Sequence, residues 1–326
     1  MGDPAGIGPE VVARAWERRH AERLPPFVAV GDPASVRAVW PGPVQVVTSL
    51  AEAAGVFATA LAVLPVGLER SVTPGQPSPD GARTALAALE AATNLARSGE
   101  AGAVVTAPVS KAELYAIGFR HPGQTEWLTE RCGLPAGATA MMLAGPTLRT
   151  VPVTTHVPLA KVPGRLTSER IIAQARVTLR ALGQDFGIER PRLAVAGLNP
   201  HAGEDGALGH EDRDVIVPAV EALLAGGHNV VGPLPADTMF HTRARAGYDA
   251  ALCMYHDQAL IPLKALHFDE GVNVTLGLPI IRTAPDHGTA FGIAGKSEAE
   301  PGAMVAAIRL AGEIAERRAH ARSLRA

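Results

Sequence analysis

The chain has 326 residues, with 30 Lys plus Arg against 32 Asp plus Glu and a formal net charge of -2. That balance excludes the basic footprint by which dedicated nucleic-acid binders neutralise phosphates. A hydrophobic content of 47% excludes disorder as the main state. No apolar run approaches the ~20 residues needed to cross a bilayer. Met1-Gly2-Asp3-Pro4 also lacks the basic-then-apolar pattern of a secretory signal. A soluble, cytoplasmic protein with neither nucleic-acid nor membrane partners is expected.

In chain order, a Gly-rich turn, Gly2 to Gly8, leads into a predicted helix over Glu10 to Arg23. A strand usually precedes such a turn, so either that strand lies upstream in a fuller gene product or this chain does without it. Predicted strands follow at Phe27 to Val30, Val44 to Val47 and Leu61 to Val66. The helix over Gly81 to Ser98 has Asp80 as its expected N-cap and Gly99 after its end. A strand at Ala103 to Thr106 and a helix from Lys111 to Ile117 complete the first half. Short β-type runs alternating with Ala/Leu/Glu/Arg segments are the pattern of βαβ units and a mostly parallel sheet.

The theme repeats with strands at Ala140 to Leu143 and Leu148 to Thr154, a helix over Ser168 to Leu182 and a strand at Arg192 to Ala196. A helix from Asp212 to Leu224 and strands at Ala250 to Tyr255 and Val272 to Leu276 come next. A last helix runs from about Ala299 to Arg322. The class is α/β in two domains: residues 1–120 with 290–326, and residues 121–289, where the metal-binding and dimer-interface residues are expected. The two cysteines, Cys132 and Cys253, permit neither a disulfide framework nor a cysteine zinc site and read as small buried hydrophobes. The 34 glycines and 27 prolines, without a repeat period, belong to many tight loops.

No G-x-G-x-x-G occurs. Ala290 to Ser297 ends in Gly-Lys-Ser like a P-loop, but Ala stands where the first Gly should be and no apolar strand precedes it, so a P-loop is rejected. Histidines are the stronger signal. Of the eleven, His156, His201 and His256 each follow an apolar run in a polar setting. Ligands of open α/β sheets gather at the carboxyl ends of strands, so the three could converge on one metal ion and leave positions open for substrate. Taken singly, each is better read as an ordinary loop or capping histidine. His20, His228, His267 and His320 read as solvated or packing residues, while His121, His210, His241 and His287 are undecided.

Asp237 and Asp257 could ligate, orient a ligand's second nitrogen or accept protons, or simply cap helices and turns. Lys264, Asn273 and Arg282 recur every nine residues and could clamp a phosphate or carboxylate. Otherwise Lys264 and Arg282 are surface charges.

Seven strings carry a family resemblance: Gly2-Asp-Pro-Ala-Gly-Ile-Gly-Pro-Glu10, Thr106-Ala-Pro-Val-Ser-Lys111, Thr154-Thr-His-Val-Pro-Leu159, Gly197-Leu-Asn-Pro-His-Ala-Gly-Glu204, Gly232-Pro-Leu-Pro-Ala-Asp-Thr238, Met254-Tyr-His-Asp-Gln258 and Gly271-Val-Asn-Val-Thr-Leu-Gly-Leu-Pro279. Nearly end to end, the chain resembles the 4-hydroxythreonine-4-phosphate dehydrogenase family. The resemblance implies NAD-dependent oxidation and decarboxylation of a phosphorylated hydroxy acid on the route to pyridoxal phosphate. It implies two α/β/α domains with a cleft between them, similar to isocitrate and isopropylmalate dehydrogenases.

It further implies that His156, His201 and His256 bind a divalent cation (zinc, cobalt, nickel, magnesium or manganese) at a homodimer interface, with His256 donated by the neighbouring subunit. Lys264, Asn273, Arg282 and Thr125 fall on substrate-contacting positions, and Asp237 and Asp257 on acidic positions near the metal. Lys264 or one of these aspartates would move the protons. Asp286, His287, Gly288 and Thr289 resemble the adenosine-binding loop of isocitrate and isopropylmalate dehydrogenases, which implies an NAD site without the Rossmann fingerprint.

One position departs from the family. Gln124 stands in Gly123-Gln-Thr-Glu126 where the family usually has His, and Gln keeps hydrogen bonding but cannot be protonated near neutral pH. D-Threonate and D-erythronate 4-phosphate are therefore alternative substrates. A catalytically silent phosphometabolite-binding relative is the alternative from another class.

Overall fold

The computed structural model describes residues 1–67 and 72–324. They form α1 (Gly8–Glu17), β1 (Ala29–Gly31), α2 (Pro33–Val39), β2 (Val44–Val46), α3 (Leu50–Val56), β3 (Leu61–Pro65), α4 (Pro79–Ser98), β4 (Val104–Val105), α5 (Lys111–Ala116) and α6 (Gln124–Arg131). Next come β5 (Ala140–Ala144), β6 (Arg149–Pro152), α7 (Ser168–Gln184), β7 (Arg192–Ala196), α8 (Val217–Ala225), β8 (Asn229–Leu234), α9 (Thr242–Arg245) and β9 (Ala250–Cys253). The last four are α10 (His256–His267), β10 (Val272–Leu276), β11 (Arg282–Pro285) and α11 (Gly302–Ser323). The class is mixed α/β. The chain divides into one unit of Met1–Leu128 with Pro279–Ala315 and another of Thr129–Leu278 with Glu316–Ala326. The return at Pro279, instead of 290, puts Arg282 and Asp286–Thr289 in the first unit.

In the first unit β1, β3 and β2 form a parallel sheet in that order, and β4 pairs in parallel with β11. Its core gathers Val11, Trp16, Val36, Leu61, Val63 and Ile308, with Trp16 set edge-on to Trp40 at 5.7 Å. Local chemistry sets the helix starts. Asp32 caps α2 by accepting from Ala34 N and Ser35 N at 3.0 Å. Ser78 caps α4 by accepting from Gly81 N at 3.2 Å. The expected Asp80 cap is thus displaced by two residues, and Asp80 instead pairs with Arg83 in the first turn.

In the second unit the strand order is β10-β5-β6-β9-β7-β8. β5 is antiparallel to both neighbours, whereas β6, β9, β7 and β8 run parallel. Leu143, Ala194, Ala251, Cys253, Leu260 and Leu263 form its core, so the inner strands read as near-continuous apolar runs. Cys253 is buried as expected, but Cys132 is only half-buried. Four elements near the candidate site lie outside the expected set: α6, α10, β8 and β11.

Candidate active site

The sheet order explains why three distant histidines belong together. β6, β9 and β7 are successive parallel strands, and His156, His256 and His201 follow their carboxyl ends within three to five residues. His256 is the first residue of α10, not part of a loop. His156 and His201 have left-handed backbones, φ 53° and 51°. That conformation is costly for a residue with a Cβ, and such strain persists where surrounding structure enforces it. Around His201 the enforcement is visible. Residues His201 to Asp205 are all left-handed, and buried Asp212 accepts from Leu198 N at 2.7 Å and from Asn199 N and Nδ2 at 3.0 Å. Gln258 accepts from Met254 N at 2.6 Å and donates to Gly197 O at 2.7 Å, tying the ends of β9 and β7.

The His156 and His256 rings lie 5.7 Å apart, centroid to centroid, inclined at 39°. His256 Nδ1 meets Asp257 Oδ1 at 2.7 Å, and His201 Nδ1 meets Glu204 Oε2 at 3.1 Å. A carboxylate on Nδ1 fixes the tautomer with the proton on that nitrogen and leaves the Nε2 lone pair for a cation, the usual setting of a metal-bound imidazole. Asp257 therefore faces its own histidine. The donor set fits a divalent cation in kind. Among the described residues no three His, Cys, Asp or Glu side chains close on one point within the chain. Asp237 is exposed in the turn after β8. Lys264, two turns along α10 from His256, has its Nζ 6.0 Å from the Phe268 ring.

Arg282 is buried at the start of β11, contrary to its alternative reading as a surface charge. Its Nε and Nη2 donate to Thr106 Oγ1 at 3.1 and 2.7 Å, and Nη2 donates to Gln124 Oε1 at 3.1 Å. Gln124 Nε2 in turn donates to Ala107 O at 3.5 Å. The residue that departs from the family pattern thus helps fix the guanidinium plane. Burial pushes Arg282 down to about 10, partly offset by Glu126. Thr125 is half-buried on α6. Asn273, on β10, has a buried Oδ1 with no hydrogen-bond partner among the described residues, a site where a ligand donor would be rewarded.

The Asp286–Thr289 loop packs on the Gly-rich turn. Ile7 N donates to Thr289 O at 2.9 Å, and a Cβ on Gly6 would meet that oxygen at 2.9 Å. His287 Nδ1 lies 3.1 Å from Gly288 O, and its Nε2 is buried without a partner among the described residues. Glu10 accepts from Gly295 N at 3.3 Å, and Arg14 donates to Ser297 O at 2.7 Å. Lys296 and Ser297 precede a helix that begins only at Gly302, so the rejected P-loop has no helix N-terminus to serve it. Thr106, Glu204, Asp212, Gln258 and Glu10 are site residues that sequence reasoning did not single out. Four of them sit inside the strings quoted above, but nothing in a string marks which side chain turns inward.

Strand-end imidazoles backed by carboxylates, on a mixed α/β scaffold that also buries an arginine beside a glutamine, define an α/β enzyme. Comparison with known proteins narrows the class to an oxidoreductase. The chain belongs to the family described as pyridoxal phosphate biosynthetic protein PdxA, whose family model matches residues 23–311. It is 57% identical to the 4-hydroxythreonine-4-phosphate dehydrogenase of Erythrobacter litoralis, covering 98% of this chain and 97% of that protein. It is 54% identical to the enzyme of the same name from Zymomonas mobilis, covering 98% and 95%. The crystal structure of 4-hydroxythreonine-4-phosphate dehydrogenase from Klebsiella pneumoniae superposes with a TM-score of 0.86 at 37% identity, covering 97% of this chain and 98% of that one. Among the described residues no helix is long and apolar enough to cross a membrane.

Proposed function

We propose that this protein is an NAD- and divalent-metal-dependent 4-hydroxythreonine-4-phosphate dehydrogenase, working in the cytoplasm as a homodimer with a shared active site. The observation that carries the reading is the pair of imidazole–carboxylate couples, His256 with Asp257 and His201 with Glu204, at the ends of adjacent parallel strands. In the net reaction the substrate hydroxyl carbon gives a hydride to NAD and its oxygen gives a proton to a base. The C–COO bond then breaks, its electron pair forms an enolate, and reprotonation gives 3-amino-2-oxopropyl phosphate, CO2 and NADH.

A bound cation would supply Lewis acidity, and bound NAD would supply the hydride acceptor. The chain's own residues do the rest. His156, His201 and His256 would hold the cation through Nε2, with His256 the candidate for donation across the dimer. Exposed apolar side chains at Leu159, Ile261 and Phe268 support a second subunit beside the histidines. Imidazole donors suit zinc, cobalt or nickel, and nearby aspartates would suit magnesium or manganese. Arg282, held by Thr106 and Gln124, supplies a fixed cation for a phosphate or carboxylate. Asn273 offers its buried acceptor to a substrate hydroxyl or ammonium, and Thr125 adds a hydroxyl. Asp257 is occupied in orienting His256, so Lys264 and Asp237 remain to move the protons. Asp286 to Thr289 would hold NAD.

The test is NADH formation from 4-phosphohydroxythreonine, D-threonate 4-phosphate and D-erythronate 4-phosphate, each with and without added metal. The proposal expects metal-dependent turnover with the first as the preferred substrate. Preference for either sugar-acid phosphate would reassign the substrate, and absence of turnover with all three would favour a binding protein.

A further inference from the structure

An open recess of about 620 Å³ in the second unit is walled by Arg176 and Arg180 on α7, by Arg190 just ahead of β7, and by His228 and Asn229 where β8 begins. Cavities of a few hundred to about 1,000 Å³ are the size that takes a small molecule. The recess lies away from the chemistry described above. Arg192 opens β7 and pairs in register with Asn229, which opens β8, so the recess sits at the amino ends of these strands. His201 follows the carboxyl end of β7, a strand of five residues that spans roughly 16 Å at about 3.3 Å per residue.

Three arginines against one glutamate, Glu189, give the wall a net charge of +2 in a chain whose total is -2. Among the described residues Arg176, Arg180 and Arg190 form no ion pair and no side-chain hydrogen bond, and Glu189 neutralises none of them. Arginines elsewhere in this unit do find carboxylates: Arg192 meets Asp249 at 2.9 Å, and Arg318 meets Asp185 at 2.6 Å. Arg176 and Arg180 also stand four residues apart on one helix, where like charges repel. Cations that share a concave wall without a carboxylate partner draw an anion from solution.

The chemistry of the wall narrows the anion. Its apolar part is Leu179 and Pro191, and no aromatic side chain lines it, so nothing is placed to stack a nucleobase. Recognition then rests on the charged group itself. A guanidinium forks onto phosphoryl oxygens through two N–H donors, and the arginines come from two separate segments. Each segment can therefore hold its own phosphoryl group.

We propose that this recess is a second anion site that binds a pyrophosphate group, with Arg176 and Arg180 donating to one phosphoryl and Arg190 with Asn229 to the other.

The experiment is calorimetric titration of the 326-residue chain without added metal, comparing the wild type with Arg176→Gln/Arg180→Gln. The titrants are pyrophosphate, methyl diphosphate, inorganic phosphate and sulfate at one ionic strength, because screening alone weakens exposed charge pairs. Pyrophosphate is expected to bind the wild type at least about tenfold more tightly than inorganic phosphate, and the double variant to lose about tenfold or more of that affinity. Turnover of the double variant in the absence of pyrophosphate should equal that of the wild type. Equal pyrophosphate affinity in the two proteins would overturn the proposal by placing the anion elsewhere. Sulfate binding as tightly as pyrophosphate would also overturn it, leaving three solvated arginines. Methyl diphosphate binding as tightly as pyrophosphate would assign an organic diphosphate to the site, and weaker binding would assign free pyrophosphate.

Discussion

Arg282 directs its guanidinium at the side-chain oxygen of Gln124, 3.1 Å away, while Thr106 holds it from another side. A buried cation without acceptors is costly, and a hydrogen bond to a charged group contributes about 1.5 to 3 kcal/mol. Gln124→Ala is expected to raise KM for the phosphorylated substrate by about tenfold or more while changing kcat less. Gln124→His should recover most of the loss, because imidazole can also accept from the arginine. Steady-state kinetics of the two variants check this, and an unchanged KM in Gln124→Ala would contradict it.

The charge on Arg282 also has a pH signature. Burial lowers its pKa to about 10, so folding favours the neutral form. The stability cost of burying the cation is fully present below about pH 10 and is relieved as pH rises from there towards the unfolded value. Phosphate binding runs the opposite way and weakens as the charge is lost. KM should climb above about pH 10 by up to tenfold per unit, and Arg282→Gln should flatten that rise. A wild-type KM that stays constant to pH 11 would show the charge is not used.

Asp257 Oδ1 accepts a hydrogen bond from His256 Nδ1 at 2.7 Å. Replacing a carboxylate behind a metal-bound imidazole typically costs 10- to 100-fold in metal affinity. Asp257→Asn is expected to weaken binding of zinc or cobalt to chelator-stripped protein by roughly that factor, measured by calorimetric titration, with Tm of the metal-free protein little changed. A loss of turnover with unaltered metal affinity would instead assign Asp257 to proton transfer.

Asp212 acts one step further back. It is buried and accepts three bonds from Leu198 and Asn199, which hold the loop that places His201 in its left-handed conformation. Asp212→Ala is expected to lower Tm by several degrees and metal affinity by about tenfold or more. Calorimetry and metal analysis of the purified variant read both. Reduced Tm with full metal affinity would make Asp212 a stability residue only.

What sequence could reveal is clearest around the histidines. Apolar runs at Arg192–Ala196 and Val272–Leu276 match their strands because buried inner strands are written as local apolar runs. His156, His201 and His256 were recognisable as strand-end residues for the same reason. α10 was hidden because Pro262 interrupts its pattern, and a mid-helix proline ordinarily argues for a break. β8 and β11 were hidden because Gly232, Pro233 and Pro285 punctuate them, as turns would. Arg282 was open to reading as a surface charge because its burial depends on Thr106, 176 residues away. Spacing along the chain cannot show such a partner.

The measurement closest to the central claim is metal content set against turnover for the wild type and for His201→Ala. Stripped wild-type protein should form no NADH from 4-phosphohydroxythreonine, recover fully on adding one divalent cation per active site, and lose both uptake and turnover in the folded His201→Ala variant. Full activity in the stripped protein, or in His201→Ala without bound metal, would contradict the account.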